Sequence, residues 1–440
     1  MASPLFLSDR SAAGLAAASH ARFHRPSLPI PPRPEIVAVS GLPGREYWSL
    51  AAFYGFFFAS LGVWVPYWPL YLKELGLNAE EIGLIFAAGL GIRALGTPVW
   101  GRWADLHSRH GVTLITVWLA LLLFTLFYGV ERFWPLLGVT AAYSLFHSGP
   151  LALTEATAME VTVRRGGDYG RVRVWGSMGF VAAVLAMGPL IDLWGVDATL
   201  HAMTAMLLGM AGTALFLPHP ARRDAPSRGR GAGGSLFARP AVRWFFLSVM
   251  LMQFSHAGYY GFFSLRLQSA GYSETVIGLL WSLGVAAEIV FMRYSRGWMA
   301  RFGGDRLMVW SLGLAAGRWV ILAAVVWWPV VALSQLLHAF TFGAFHLGAV
   351  RRTHEAASEE NRGVAQAWYA SLSHGVGGGL GMVLSGVLYH RWGAEALFGV
   401  MAAAAAAGLA VGIKAMRLFQ EPPAAFHGTQ RGPGREEGAG

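Results

Sequence analysis

Residues Glu274–Trp298 read ETVIGLLWSLGVAAEIVFMRYSRGW. A run of about 20 apolar residues is enough to cross a bilayer as a helix. Runs of this kind recur along the 440-residue chain. Twelve spans are expected, at roughly 47–72, 80–103, 112–130, 134–160, 170–193, 197–217, 243–268, 274–298, 306–327, 330–351, 363–389 and 394–417. Length alone would allow two or three soluble domains. Composition excludes them: 55% of the residues are hydrophobic and only 13% are charged, the balance of a polytopic helical membrane protein. Without a single cysteine, the chain has no disulfide framework and no thiolate metal site.

The charges give an orientation. The net charge is +10, and the lysines are Lys73 and Lys414 alone, so nearly all of the positive charge is arginine. The arginines sit at the ends of apolar runs and not in one patch, which speaks for membrane orientation and against nucleic acid as a partner. With the N-terminus inside, alternate loops carry Arg102 and Arg109, Arg164 and Arg165, Arg222, Arg223, Arg228 and Arg230, Arg301 and Arg306, Arg351 and Arg352, and Lys414 and Arg417. The opposite loops hold little beyond Lys73, Arg132 and Arg391. Both termini are therefore expected in the cytoplasm. Preference for Arg, Ala and Gly over Lys points to a GC-rich bacterial genome, and so to an inner membrane. Residues 1–46, rich in Pro, Ser, Ala and Arg, are expected to be a disordered cytoplasmic tail. The polar stretch 218–242 reads as a cytoplasmic linker between six-helix bundles at 47–217 and 243–417, with 418–440 a second tail.

The two bundles look like repeats. Moving back 195 positions places Ile277-Gly278-Leu279 on Ile82-Gly83-Leu84, Trp281 on Phe86, Gly284 on Gly89 and Glu288 on Arg93. An aromatic, a glycine and an intramembrane charge thus recur at one helical spacing, with the sign of the charge reversed. Trp194-Gly195 with Asp197 matches Trp392-Gly393 with Glu395, His147 matches His338, and Glu155 matches His346. Matches at several places indicate duplicated halves with a polar site between them.

The loop Gly101-Arg-Trp-Ala-Asp105-Leu-His-Ser-Arg109-His resembles the cytoplasmic loop motif of the major facilitator superfamily, matching it at Gly101, Asp105 and Arg109 and departing from it at Leu106 and Ser108. A partial echo, Gly297 to Arg306, follows the eighth span. The stretches Asp168–Ser177, Ser255–Phe262, Ala270–Ser273, Leu280–Glu288, Gly317–Trp319 and His338 to Leu347 resemble the phenylpropionate permease branch of that superfamily. The resemblance runs from about Tyr47 to the last helix. It implies a major facilitator fold, a monomer, a gating loop at Gly101, Asp105 and Arg109, and import of aromatic carboxylic acids with protons.

Proton-coupled uptake needs a group near the bilayer midplane that loads and releases a proton. Glu288, Glu155 and His346 fit by type and position. Arg93, Arg318 and Arg173 offer guanidinium forks for a cargo carboxylate. Tyr259, Tyr260 and Trp281 are placed to stack on an aromatic ring. Each has a plainer explanation. Glu288 and Arg93 would also be satisfied as a fixed ion pair, and Glu155 by pairing with Arg171 or Arg173. His338 and His256 read as hydrogen-bonded packing residues, and the aromatics as packing. Arg266 and Arg173 lie near span ends, where they could snorkel to the interface. Gly377 and Gly381 have the small-xxx-small spacing of a packing or rocking surface. No Gly-Lys-Ser/Thr follows this glycine run, which removes a nucleotide loop and an ATP-driven pump.

The expectation is an all-α permease of twelve transmembrane helices in two pseudo-symmetric bundles, which needs no cofactor beyond the coupling proton. Its partners are the lipid bilayer and a small-molecule cargo: an aromatic carboxylic acid such as 3-phenylpropionate, held by Arg93 and Arg318 and coupled through Glu288. The alternatives are a proton symporter for a nucleoside or sugar, and an efflux permease. A membrane enzyme finds no nucleophile elbow and no His-x-x-x-His on a span.

Overall fold

The computed structural model describes residues 44–164, 167–219 and 236–421. Most of the expected N-terminal tail, the middle of the linker, most of the C-terminal tail, and Arg165, Arg222, Arg223, Arg228 and Arg230 lie outside these residues. Every regular element among the described residues is helical. In chain order the helices are α1 (Arg45–Glu74), α2 (Ala79–Leu106), α3 (Arg109–Phe124), α4 (Phe133–His147), α5 (Gly149–Arg164), α6 (Tyr169–Trp194) and α7 (Ala198–Ala214). They continue with α8 (Pro240–Ser269), α9 (Glu274–Phe302), α10 (Gly304–Ala324), α11 (Trp328–Leu336), α12 (Phe345–Ala356), α13 (Arg362–Ala370) and α14 (Gly378–Gln420). π-Helical turns at Ala339–Ala344 and Ser371–Gly377 join α11 to α12 and α13 to α14.

Nine helical stretches among the described residues are long and apolar enough to cross a membrane. The longest, Arg362–Gln420, is two rods, because Gly393 breaks α14 with φ 78°. Helices α7 and α8 fall outside that set, and the expected count of twelve rests on them and on the break at Gly393. Helix α1 begins inside the segment read as the tail, α8 starts within the segment read as the linker, and α14 runs three residues past 417.

Short turns force sequential helices to run antiparallel. Gly76 and Gly271 have φ of 85°, and Gly195 and Gly393 φ of 80° and 78°. The first two stand 195 positions apart, the second two 198, so the turn geometry repeats between the halves. After Gly76 and Gly271, the Asn78 and Ser273 side chains accept hydrogen bonds from Glu81 N and Val276 N, capping α2 and α9. These four glycines mark one end of the bundle, here termed the Gly76 end. The other end carries Arg109 and Asp305.

The halves meet closely at the Gly76 end. A Cβ on Gly386 would stand 2.6 Å from Ala79 O, and one on Gly83 2.8 Å from Met382 O. A Cβ on Gly188 would stand 2.6 Å from Thr275 Cα. Glycine is what lets α2 approach α14, and α6 approach α9, with backbone against backbone. The Asp192 carboxylate of α6 reaches across and accepts from Glu274 N (3.0 Å), Thr275 N (3.2 Å) and the Thr275 hydroxyl. It thereby caps the start of a helix in the other half. Arg391–Glu80 at 3.3 Å and Lys73–Gln268 at 3.0 Å also cross between the halves there.

At the opposite end, Arg109 pairs with Glu160 at 3.2 Å in the first half, and Arg352 pairs with Asp305 in the second. These are corresponding helix ends with the charges exchanged. Gly377 and Gly381, expected as a packing or rocking surface, lie against α8 of their own half: added Cβ atoms would stand 2.5 Å from Met250 O and from Phe254 O. Gly375 and Gly378 are the members of that run that face the other half, with added Cβ atoms 2.9 Å from the Ala94 Cβ and 3.6 Å from Leu90 Cδ1.

Candidate functional site

The recurring aromatic–glycine–charge spacing has a structural reason. A Cβ on Gly89 would lie 3.2 Å from Ser144 Oγ and 3.6 Å from Thr140 Cγ2 of α4. A Cβ on Gly284 would lie 3.5 Å from His338 Cβ. In each half the glycine, one turn from the charged residue, faces the neighbouring helix: an added Cβ would be tight at Gly89 and in ordinary contact at Gly284. The neighbouring segment carries a histidine to the charge. Arg93 Nη2 lies 2.8 Å from His147 Nδ1, and Glu288 Oε2 stands 3.8 Å from His338 Nε2. Residues matched by the repeat, 93 with 288 and 147 with 338, thus make corresponding contacts, Arg93–His147 in one half and Glu288–His338 in the other.

Arginine only donates. His147 Nδ1 must then accept from Arg93, and the ring carries its proton on Nε2. The same logic holds for His338. Arg318 Nη1 donates to His338 Nδ1 at 3.1 Å and to Thr341 Oγ1 at 3.2 Å, and Nη2 donates to Gln335 Oε1 at 2.8 Å. His338 therefore turns its Nε2–H toward Glu288, with Arg318 behind it. The π-turn that begins beside His338 contains Thr341, so the non-α stretch supplies part of this network. The Arg93–Glu288 ion pair, the alternative to roles in transport, is not the arrangement adopted: each charge lies beside the histidine of its own half, and Glu288 also feels the charge of Arg173 from the first half.

Arg318 is fully buried, and its guanidinium lies 4.3 Å over the Tyr259 ring. Tyr259 donates to Gln335 Oε1 at 2.8 Å, and Trp281 Nε1 donates to Ser264 Oγ at 2.9 Å. Tyr259, Tyr260 and Trp281 pack on one another, with Tyr259 and Trp281 centroids 4.5 Å apart. His256 keeps to packing, its Nδ1 2.9 Å from Met252 O. Arg266 is drawn inward and does not snorkel: it is 6% exposed and bonds Glu395 at 2.8 Å and Ala323 O at 2.9 Å. Arg173 lies 4.0 Å over the Phe58 ring.

Glu155 and His346 are matched by environment as well as by repeat. Tyr169 donates to Glu155 at 3.5 Å, and the Tyr369 hydroxyl lies 2.9 Å from His346 Nδ1. Both tyrosines stand on the helix that follows in their half. Glu155 thus accepts from Tyr169 and lies within electrostatic reach of Arg173, one of the two arginines expected, without forming a close ion pair with it. In the loop motif, Arg109 holds Glu160, and Gly101 has open space around its Cα.

A cavity of about 40 Å³ opens beside Arg93. Trp64, Phe86 and Tyr143 line it with aromatic surface, and Ser60, Thr140, Ser144 and His147 with polar groups. It brings Arg93 together with residues that the sequence did not single out as ligands. His147 had been noted through the repeat alone, and Thr140, Tyr143 and Trp64 carry no sequence signal that separates them from packing residues. His338 reads as packing in sequence and proves to join Arg318 to Glu288.

A helical membrane bundle of two repeated halves, with buried charges facing its interior and closed at one end, is the architecture of an alternating-access transporter. The chain belongs to the MFS_1 like family, whose model matches residues 47–400. It is thus a multi-pass transporter of the major facilitator type and not an enzyme. It is 34% identical over 367 residues to a probable 3-phenylpropionic acid transporter of Escherichia coli (strain K12), a match covering 81% of this chain and 94% of that one. It is 28% identical to the maltose permease of Geobacillus stearothermophilus, over 79% of this chain and 88% of the permease. The fold is shared with the crystal structure of the nucleoside transporter NupG, at a TM-score of 0.72 and 18% identity, over 86% of this chain and 99% of NupG.

Proposed function

We propose that this transporter imports small aromatic carboxylic acids together with protons across a bacterial inner membrane. The observation that carries the reading is Arg93: a guanidinium inside the bundle, bonded to a neutral histidine and opening on an aromatic-lined cavity. Among the described residues no carboxylate is bonded to it. A charge left unmatched at the bilayer centre costs about 2.5–3.5 kcal/mol on insertion scales, and an incoming carboxylate would meet it in a bidentate fork. The phenylpropionic acid transporter relationship supports the same cargo class. For the proton, Glu288 is the group of choice. It lies within the bundle, its carboxylate faces a histidine that is neutral while Arg318 donates to it, and a proton moves on or off without breaking a strong ion pair.

The sequence's charge asymmetry puts the Arg109 end in the cytoplasm. On that reading the tightly packed Gly76 end faces outward, and the structure is a state closed to the outside. Cargo and proton then reach Arg93 and Glu288 from outside only after the α2–α14 and α6–α9 contacts part.

The test is uptake of labelled 3-phenylpropionate into proteoliposomes, with and without an inward proton gradient. Saturable, gradient-driven uptake that other aromatic acids suppress is the expected result. A symporter for a neutral sugar or nucleoside is the second reading, favoured by the maltose permease relationship. Uptake of such a solute by vesicles that ignore every acid would establish it in place of the first.

A further inference from the structure

His338 and His147 occupy corresponding places in the two halves, and each accepts a guanidinium proton at Nδ1. Each therefore presents an N–H at Nε2. In the second half that N–H faces the Glu288 carboxylate. In the first half it faces nothing: His147 Nε2 is a buried polar atom without a hydrogen-bond partner. Thr140, on the same face of α4 two turns earlier, has a buried hydroxyl oxygen that is equally unpartnered. Both residues are 1% exposed, and both line the cavity beside Arg93. Buried polar groups are nearly always satisfied, so two orphans on one small cavity call for an occupant. The cavity, at about 40 Å³, is far smaller than the several hundred cubic ångström of a whole-ligand pocket. On this measure a water needs about 10–15 Å³, so there is room for roughly three waters or one carboxylate head.

We infer that Arg93, His147 Nε2–H and Thr140 Oγ1–H together form the seat of the cargo's carboxylate. The cargo supplies to His147 the group that Glu288 supplies to His338 within the protein itself. Trp64, Phe86 and Tyr143 then flank the start of the cargo's apolar body. The chemistry selects an anionic acceptor. An amide or alcohol of the same shape would bring its own protons toward Arg93 and fill fewer of the three donors. This inference rests on the acid-transport reading and adds to it which residues other than Arg93 recognise the acid.

The experiment is equilibrium binding of labelled 3-phenylpropionate to the purified full-length protein, with 3-phenylpropionamide as competitor and thermal unfolding recorded for every variant. The wild type should bind the acid and ignore the amide. Thr140→Val keeps the shape and loses the hydroxyl, and should weaken binding tenfold or more, while Thr140→Ser should retain it. His147→Phe keeps the ring stacked on Phe57 and Tyr143 but removes both nitrogens, and should weaken binding at least as much. Binding of the acid at wild-type strength by Thr140→Val and by any folded His147→Phe would overturn the seat and leave the acid-transport reading standing. So would an amide that competes as well as the acid. A wild-type protein that binds no acid would overturn both.

Discussion

Glu288 and Arg93 hold corresponding places in the two halves, yet their neighbours divide the chemistry between them. Glu288 faces His338 at 3.8 Å, which in turn is held by Arg318. Replacing the carboxylate by an amide keeps size and polarity but removes the titrating oxygen. Glu288→Gln should therefore abolish accumulation of labelled acid against a gradient while sparing exchange of acid for acid. Counterflow and gradient-driven uptake, measured on the same vesicles, separate the two. Retained accumulation would remove Glu288 from the coupling role. Arg93→Gln should instead weaken cargo binding. Hydrogen bonds to a charged group contribute about 1.5–3 kcal/mol each, so the loss of one predicts an affinity lower by roughly tenfold to 150-fold. Because Arg93 bonds His147 and not Glu288, this variant should leave the coupling ratio of protons to cargo unchanged.

At the scale of elements, the glycines have distinct jobs. Gly89 and Gly284 face α4 and the segment that follows α11, whose histidines lie beside the charges. Gly83 and Gly386 let α2 and α14 close the Gly76 end. A methyl group on Gly386 would press on Ala79 O and Glu80 Cα, at 2.6 and 3.1 Å. Overpacking of this kind costs typically about 1–3 kcal/mol. The cost falls on the conformer closed at that end, so Gly386→Ala should shift the population toward one open there. The protein has no cysteine, which makes a single reporter unambiguous. Val184→Cys, buried beside Gly278 at the α6–α9 seam, should react faster with a membrane-impermeant thiol reagent when Gly386→Ala is added. An unchanged rate would mean that the contact does not govern closure.

On the scale of the whole molecule, the two halves are joined at the Gly76 end by backbone packing and by polar interactions across the seam, of which the Asp192 cap makes the most hydrogen bonds. Asp192 caps α9 from the other half through Glu274 N and Thr275 N. Loss of an N-cap costs typically about 1 kcal/mol. Asp192→Ala should thus favour the conformer open at that end several-fold, and the Val184→Cys reporter should read the shift in the same direction as Gly386→Ala. The exposed Arg391–Glu80 pair should matter less, because such pairs contribute about 0–1 kcal/mol. Arg391→Ala leaving the reporter rate near wild type, with Asp192→Ala raising it, would place the closing interaction in the cap and not in surface charge.

Much of this was legible in the chain. Apolar runs of span length can only bury their backbone as helices, which decided the fold class from composition and hydropathy. The duplication was visible as recurring residues near offset 195, and the residues it matched, 93 with 288 and 147 with 338, make corresponding contacts in the two halves. Sequence also indicated that Arg93, Glu288 and Arg318 lie inside the bundle, because a charge in a span is costly unless it faces the interior. Periodicity along one helix does not say which neighbour a side chain meets. The sequence therefore left an Arg93–Glu288 pair open beside roles in transport, whereas the packing of α4 and of the segment after α11 set a histidine beside each charge. Thr140 and the free nitrogen of His147 were invisible for the same reason. Whether a buried threonine or histidine is satisfied depends on atoms supplied by other helices. Only the packed bundle determines that those two groups, and Arg93, open on one cavity.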